Sequence, residues 1–475
     1  MSDNLYFNMD IPDPDVIFHD GFYYLITTTM HFFPGGEILR SKDLKKWEHW
    51  SYVFEKLDST DAQRLEGDAH VYGKGMWAPT LRFHEGKFYV AFSCNDTQKT
   101  YLYRADSLKG PWARNVIEGF YHDLSLLFDG GSAYLVYGNT DIHLTELNDE
   151  MTAPKEGGLD RVIVLDKTGA LLGYEGSHIY KINGKYYLFM IHSLSKKWRR
   201  VEAMFVAESL DGEFVGDDIY DEDLGIRDSG IAQGGVVEGP LGWHMIMFQD
   251  SGAIGRIPVA VPFTWENGKP KFESKSVVNC DMTALYGSDD FKSGMKDIWQ
   301  FNHEPKTELI KFDNGYHITT DKVVRNICHA RNTITQKTFG PKCSATVTID
   351  GADLNDGDVA CLSAFQGDYA LVGIKKESGK FYATMITNTS KGGIWDLTEE
   401  EGVEEVCVEL EGTKVTVTVE CDFTADKAIC YLGDRKLGEH DIRFRLDHFT
   451  GARFALACFS TWMTGGTAVF TDFKR

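Results

Sequence analysis

Residues 13–29 read DPDVIFHDGFYYLITTT, and the return of this pattern further along the chain decides the fold. A strand-like run leads into a turn ending at Gly21, and an aromatic-rich alternating strand follows. Later versions are APTLRFHEGKFYVAFS from Ala78, HDLSLLFDGGSAYLVYG from His122, EGSHIYKINGKYYLFMI from Glu175 and QGGVVEGPLGWHMIMFQ from Gln233, making five copies. Between them lie ILRSKDLKKWEHW, YLYRADSLKGPW, IHLTELNDEM and MFVAESLDGEF, each a short strand, a turn and another short strand. Four strands per unit, repeated about every 50 residues, are the signature of propeller blades. Period-two alternation such as TKVTVTVEC is common, whereas helical periodicity over more than three turns is hard to find, so the fold class is all-β.

The fifth copy ends near WENGKPKF, and the Ser-, Asp- and Gly-rich stretch YGSDDFKSGMKD follows before Trp299. This places a boundary near residue 285, with a five-bladed β-propeller over 1–285. Residues 286–475 carry alternating strands without the blade pattern, among them CSATVTI, ALVGIKK, KFYATMI and ARFALACF, and read as a β-sandwich. A chain of 475 residues is long for one core at roughly 100 to 200 residues per domain, in keeping with this division.

The 49 basic and 71 acidic residues give a formal charge of -22, which repels phosphate backbones and anionic lipid surfaces. Nucleic acid is therefore not an expected partner, and no apolar run is long enough to span a bilayer. The opening MSDNLYFNMDIPDPDVIF lacks the basic and apolar regions of a secretory signal, so a cytoplasmic location is expected. The cysteines, nine in number with eight beyond residue 279, show no CxxC pair or zinc-ligand spacing and read as reduced thiols.

In a propeller the first strand of every blade surrounds the central axis, so residues at the head of each copy converge on one funnel. Aligned on Gly21, Gly130 and Gly184, the acidic residues Asp13, Asp123 and Glu175 fall seven to nine positions upstream in blades one, three and four. Any one of them reads equally as a turn or capping carboxylate, but three at equivalent places point to shared chemistry. Glycoside hydrolysis needs an acid to protonate the leaving oxygen and a base to activate water, and a third carboxylate tunes the acid by like-charge repulsion.

At these residues the chain resembles glycoside hydrolase family 43, through PDPD, HDLSLLFDGG and EGSHIYKINGKYYLF, and beyond them through FFPGGEILRSKDLKKWE, GMWAPTLRFHEGKFY, GIAQGGVV and FQDSGAIGR. The resemblance implies that Asp13 is the general base, Asp123 the residue that orients and tunes the acid, and Glu175 the general acid of an inverting reaction. It implies carboxylates of base and acid about 6.5 to 9.5 Å apart. The chain departs from the family pattern at Asp15, Leu124 and Gly130–Gly131, and Asp15 is a competitor for the part of Asp13.

Trp77, Phe32 and Phe33 are candidates for sugar stacking or the pocket wall, with blade core as the alternative. The resemblance makes Arg256 a substrate-binding arginine and adds Gln233 at the head of blade five, and His178 and His122 lie close enough to the carboxylates to contact sugar or shift a pKa. Some members hold a calcium or water-bound cation at the base of the channel. No cofactor is required here, and in MIMFQDSG only Gln249 and Asp250 could serve a calcium. Through DIWQFNHEP, ARNTITQKTFGPKC and DGDVACLSAFQGDYALVGI the second half resembles the concanavalin-like sandwich attached to the family's xylosidases and arabinofuranosidases, with Phe365, Gln366 and Tyr369 as the residues expected to help close the pocket.

The expected function is exo-acting removal of terminal α-L-arabinofuranosyl residues from hemicellulose oligosaccharides, with β-D-xylosidase or dual activity as the alternative. Two readings from other classes are a carbohydrate-binding protein without catalysis, which would need a carboxylate missing, and an acidic cluster that holds calcium for structure alone.

Overall fold

The computed structural model describes residues 3–274 and 276–475. Their regular structure is almost entirely antiparallel strand, with three single 3-10 turns. Five sheets form the blades of a propeller. Blade one runs Asp15–His19, Phe22–Thr27, Gly35–Ser41 and Lys46–Phe54 from the axis outward, and blades two, three and four repeat this meander from Thr80, Ser125 and Glu175.

Blade five starts at Ile231–Gly239 and is completed by the beginning of the chain. Asn4–Tyr6 pairs antiparallel with Arg256–Glu266, Leu5 opposite Ala260, and Val277–Asn279 adds a further parallel strand. The chain then crosses to blade one, where Asp281–Ala284 pairs with Lys46–Phe54. The first and last blades are thereby stitched together by backbone hydrogen bonds that protect their edges.

The second half is a concanavalin-like β-sandwich of an eight-stranded and a seven-stranded sheet. Lys342–Asp353 shows how its sequence directs it: Cys343, Ala345, Val347 and Ile349 alternate with more exposed residues and face the core. They belong to the largest apolar cluster, which also contains Leu362, Val372 and Leu456 from the opposite sheet. Burying each large aliphatic side chain stabilises the fold by about 1.5–3 kcal/mol. All nine cysteines are free.

The two halves share a sheet. Phe32–Phe33, from the blade-one loop, pairs antiparallel with Gln300–Asn302 and becomes the edge of the eight-stranded sheet. Lys337 and Glu37 add a buried ion pair across the junction at 2.7 Å. The Asp10 carboxylate accepts from Arg256 N and Gly451 N, both at 2.8 Å, tying blade five to a sandwich loop. That last contact brings the sandwich to the mouth of the funnel.

Candidate active site

The blade heads use an unusual backbone to aim their side chains. Asp13, Asp123 and Gln233, at the heads of blades one, three and five, have φ of 50°, 46° and 57°, the left-handed region that non-glycine residues seldom enter. Local strain of this kind concentrates at functional sites, where the surrounding structure holds it. Blade four uses a glycine instead: Gly176 has φ 63°, and a Cβ there would lie 2.6 Å from Gln233 Cγ. Glu175 therefore sits one residue earlier and reaches the same funnel.

Asp13, Asp123, Glu175, Trp77, Gln233 and Arg256 line one cavity of about 690 Å³. Arg256 Nη1 donates to Asp13 Oδ1 at 2.7 Å, both side chains being buried. His122 Nε2 stands 3.2 Å from Glu175 Oε2 and 3.7 Å from Asp123 Oδ2, and Asn139 Nδ2 donates to Glu175 Oε2 at 3.1 Å. Gln233 N donates to Oε2 of the buried Glu202 at 2.8 Å, which secures its left-handed turn.

Charge is crowded here. Burial pushes Asp123 up to about 7, with Glu175 and Asp13 adding to the rise while His122 and Arg256 oppose it. For His122 burial works the other way, yet Asp123, Glu175 and Asp13 overcome it and raise the imidazole to about 9. A raised imidazole contributes stability that is complete below its ordinary value near 6.5 and is lost as pH rises through about 9. The His122→Gln protein is accordingly expected to show a flatter dependence of melting temperature on pH between 7 and 9 than the wild type.

Asp15, two residues beyond Asp13, serves a different purpose. It is fully buried and accepts from Val16 N at 3.0 Å, Leu81 N at 2.8 Å, Thr80 Oγ1 at 3.0 Å and Arg82 Nη1 at 2.6 Å. Arg82 also donates to Leu126 O and Ser125 Oγ, at 2.9 and 2.8 Å, and Tyr180 OH lies 3.3 Å from Asp15 Oδ1 while accepting from Val236 N. Residues of all five blades thus meet in a polar plug beneath the three carboxylates. Burial alone would raise the Asp15 pKa; Arg82 and His178 more than offset it and hold the carboxyl well below the usual range.

Other expected positions take different places. Phe32 and Phe33 are buried away from the cavity: Arg453 stacks on Phe32 at 3.7 Å, and Phe33 packs in the core between blades one and two. His178 Nδ1 faces Asp15 Oδ1 at 3.4 Å in the plug, so it does not line the cavity. Phe365, Gln366 and Tyr369 are buried inside the sandwich, and its contribution to the cavity wall comes from Ile394, Trp395, Phe444, Leu446 and Phe449 instead. Phe449 lies over Arg256, ring centroid to Cζ 4.5 Å, and its carbonyl accepts from Arg256 Nη2 at 3.2 Å. Arg200 and Asp250 also line the cavity and pair at 2.6 Å.

The carboxylates Asp15 and Asp250 at the channel base are each already paired with an arginine. Arg82 already supplies the positive charge to Asp15 and Asp250 is committed to Arg200, whereas Gln249 donates its amide nitrogen to the carbonyls of Asp223 and Ile226 and keeps its buried Oε1 without a protein partner among the described residues. Ligand atoms of His122, Asp123 and Glu175 lie within 4.8 Å of one another.

A propeller whose funnel holds this carboxylate trio, closed on one side by a sandwich, defines a class of glycoside hydrolases. Residues 3–270 match Glycosyl hydrolases family 43 and residues 288–474 match the beta xylosidase C-terminal concanavalin A-like domain, and the chain belongs to that family. Among relatives, a beta-xylosidase of Formosa agariphila is 24% identical over 402 residues, covering 73% of this chain and 65% of its own. A non-reducing end alpha-L-arabinofuranosidase of Bacteroides ovatus is 34% identical over 185 residues, 37% of this chain and 33% of its own. A solved structure of a bifunctional GH43-CE of Bacteroides eggerthii superposes with TM-score 0.88 at 32% identity, covering 100% of this chain and 64% of that one. The chain thus spans about two thirds or less of the length of these three proteins.

Proposed function

We propose that this chain is an exo-acting, inverting glycosidase that removes terminal α-L-arabinofuranosyl residues from hemicellulose oligosaccharides. The observation that carries the reading is the convergence of Asp13, Asp123 and Glu175 on a cavity walled on one side by the sandwich. Such a cavity suits the end of a chain rather than its middle.

Asp13 acts as base. Arg256 occupies its Oδ1, which leaves Oδ2 to take a proton from water as the water oxygen attacks the anomeric carbon. Glu175 gives its proton to the departing glycosidic oxygen on the other side of the sugar, so the anomeric configuration inverts. Both carboxyls end with their protons exchanged and are reset by solvent. Asp123, with its raised pKa, sets the charge felt by Glu175, and His122 and Asn139 fix the Glu175 carboxylate in position.

β-D-xylosidase, alone or together with arabinofuranosidase, is the second reading, and the relatives' names favour each in turn. Arabinofuranose and xylopyranose offer similar hydroxyl patterns. Initial rates on 4-nitrophenyl α-L-arabinofuranoside and 4-nitrophenyl β-D-xylopyranoside, with an Asp13→Asn protein as blank, separate them. Faster release from the arabinofuranoside supports the first reading, faster release from the xyloside replaces it with the second, and release from neither removes both.

A further inference from the structure

On the side of blades four and five the cavity wall carries groups that the carboxylate trio does not use. Trp198, Arg200 and Asp250 all line it, and Trp198 is 52% exposed. Arg200 Cζ lies 5.7 Å from the Trp198 ring centroid and 5.3 Å from that of Phe248. Arg256, the partner of Asp13, lies 5.3 Å from the same Phe248 ring. The two arginines are therefore neighbours across one side chain, one serving the base and the other facing a part of the cavity still unassigned.

Arg200 is buried, yet only its Nε is engaged by a side chain, donating to Asp250 Oδ2 at 2.6 Å. Among the described residues nothing accepts from its Nη1 or Nη2 and nothing donates to Asp250 Oδ1, and none of these three atoms is closed off from solvent. Burying a guanidinium with its donors unmet costs free energy, so one held this way in a cavity wall is there for a ligand. It presents a planar fork of donors beside one carboxylate acceptor. A hydroxyl both donates and accepts, so two neighbouring hydroxyls satisfy the pair, one accepting from Arg200 and the other donating to Asp250. Trp198 offers its ring to the apolar C–H face of the same sugar.

Position says which sugar this is. The transferred pentose lies between Asp13 and Glu175, and Glu175 protonates the oxygen that departs. Glu175 opens the first strand of blade four, and the third strand of that blade, Lys197–Ala207, carries Trp198 and Arg200. A group that departs past Glu175 toward solvent crosses them.

Resting on the glycosidase reading, we propose that Trp198, Arg200 and Asp250 form the site of the leaving sugar and select a pyranose with two adjacent free hydroxyls. The choice fixes linkage. In a xylopyranose whose 1-oxygen is already substituted, a pentose on the 4-hydroxyl leaves the neighbouring 2- and 3-hydroxyls free, and one on the 2-hydroxyl leaves the 3- and 4-hydroxyls. A pentose on the 3-hydroxyl leaves two that are not neighbours. The preferred substrates are then pentoses linked to the 2- or 4-position of a xylopyranose unit.

The test uses one pentose joined to the 2-, 3- or 4-hydroxyl of methyl β-D-xylopyranoside, with the methyl pentoside as the substrate that lacks a leaving sugar. The three departing groups are secondary alcohols of one sugar, so their acidity differs little and ratios of kcat/KM report the site. The 2- and 4-linked substrates should each exceed the 3-linked one by about tenfold or more, the worth of a hydrogen bond to a charged group. Arg200→Lys keeps a positive charge beside Asp250 but loses the fork, and should cut that advantage by about fivefold or more. Trp198→Ala should lower all three against the methyl pentoside by about fivefold, and its half-exposed position means that the change should leave the fold intact.

A 3-linked substrate as good as the other two overturns the proposal and leaves the glycosidase reading standing. So does an Arg200→Lys protein that loses the same factor on the methyl pentoside as on the 2- and 4-linked substrates, which would place Arg200 at the transferred sugar. Failure of the glycosidase reading has its own signature, no turnover of any of the four by wild type. Tryptophan fluorescence titration with methyl β-D-xylopyranoside and its 3-O-methyl ether then decides the site: tighter binding of the former, levelled in Arg200→Lys, supports it, and equal binding ends it.

Discussion

Glu175→Gln and Asp13→Asn proteins are expected to fail in different ways. Removing a general acid costs about 10³-fold when the leaving group must be protonated, and much less when it departs as a stable anion. Glu175→Gln should therefore lose about 10³-fold in kcat/KM on a pentosyl disaccharide but keep far more of its rate on a 4-nitrophenyl pentoside. Asp13→Asn should lose about 10³-fold on both, because water must be activated whatever departs. Asparagine also tolerates the left-handed φ of 50° at position 13, so backbone strain does not confuse the comparison. Equal losses of the Glu175 variant on the two substrates would remove it from the role of acid. A swapped pattern would exchange the two assignments.

The features legible in the sequence are those encoded locally and repeated. The alternating strands and turn glycines of DPDVIFHDGFYYLITTT and its copies announce the blades, and equivalent positions within a repeat are enough to bring Asp13, Asp123 and Glu175 to one cavity. The remainder depends on contacts between segments far apart in the chain. Phe32 and Phe33 lie in the loop between the second and third strands of blade one, where a pocket wall is a fair expectation, but their backbone finds Gln300–Asn302 and joins the sandwich sheet. Nothing local to FFPGG signals that pairing.

The same holds for the sandwich's part in the cavity. Phe365, Gln366 and Tyr369 end or follow a core strand, and the sheet buries them, whereas Trp395 and Phe449 lie in loops without regular structure. The Asp10 bridge from Arg256 N to Gly451 N, which holds that loop against blade five, joins residues separated by most of the chain. His178 illustrates a further difficulty. It lies three residues beyond Glu175, but a bulge in the pairing of Glu175–Ile182 intervenes, and its ring faces Asp15 in the plug.

That plug gives the two neighbouring carboxylates of PDPD opposite consequences. Asp15→Ala should destabilise the protein by about 3–5 kcal/mol, the cost of leaving a buried charge, here the Arg82 guanidinium, without its partner. It would also orphan Leu81 N and Val16 N, which have the Asp15 carboxylate as acceptor. The Asp15 pKa is held below its ordinary value, so its contribution is present above about pH 4 and is lost as pH falls further. The Asp15→Ala deficit in unfolding midpoint should accordingly shrink toward acid pH. Asp13→Asn, by contrast, leaves Arg256 an amide oxygen, a bond to Phe449 O and a cavity open to water, and should destabilise the protein clearly less than Asp15→Ala while being inactive. A stable but inactive Asp15→Ala protein together with an active Asp13→Asn protein would reverse the roles of the two aspartates, because the amide at position 13 keeps an acceptor for Arg256 while removing the base, whereas alanine at position 15 leaves the buried Arg82 guanidinium without its carboxylate.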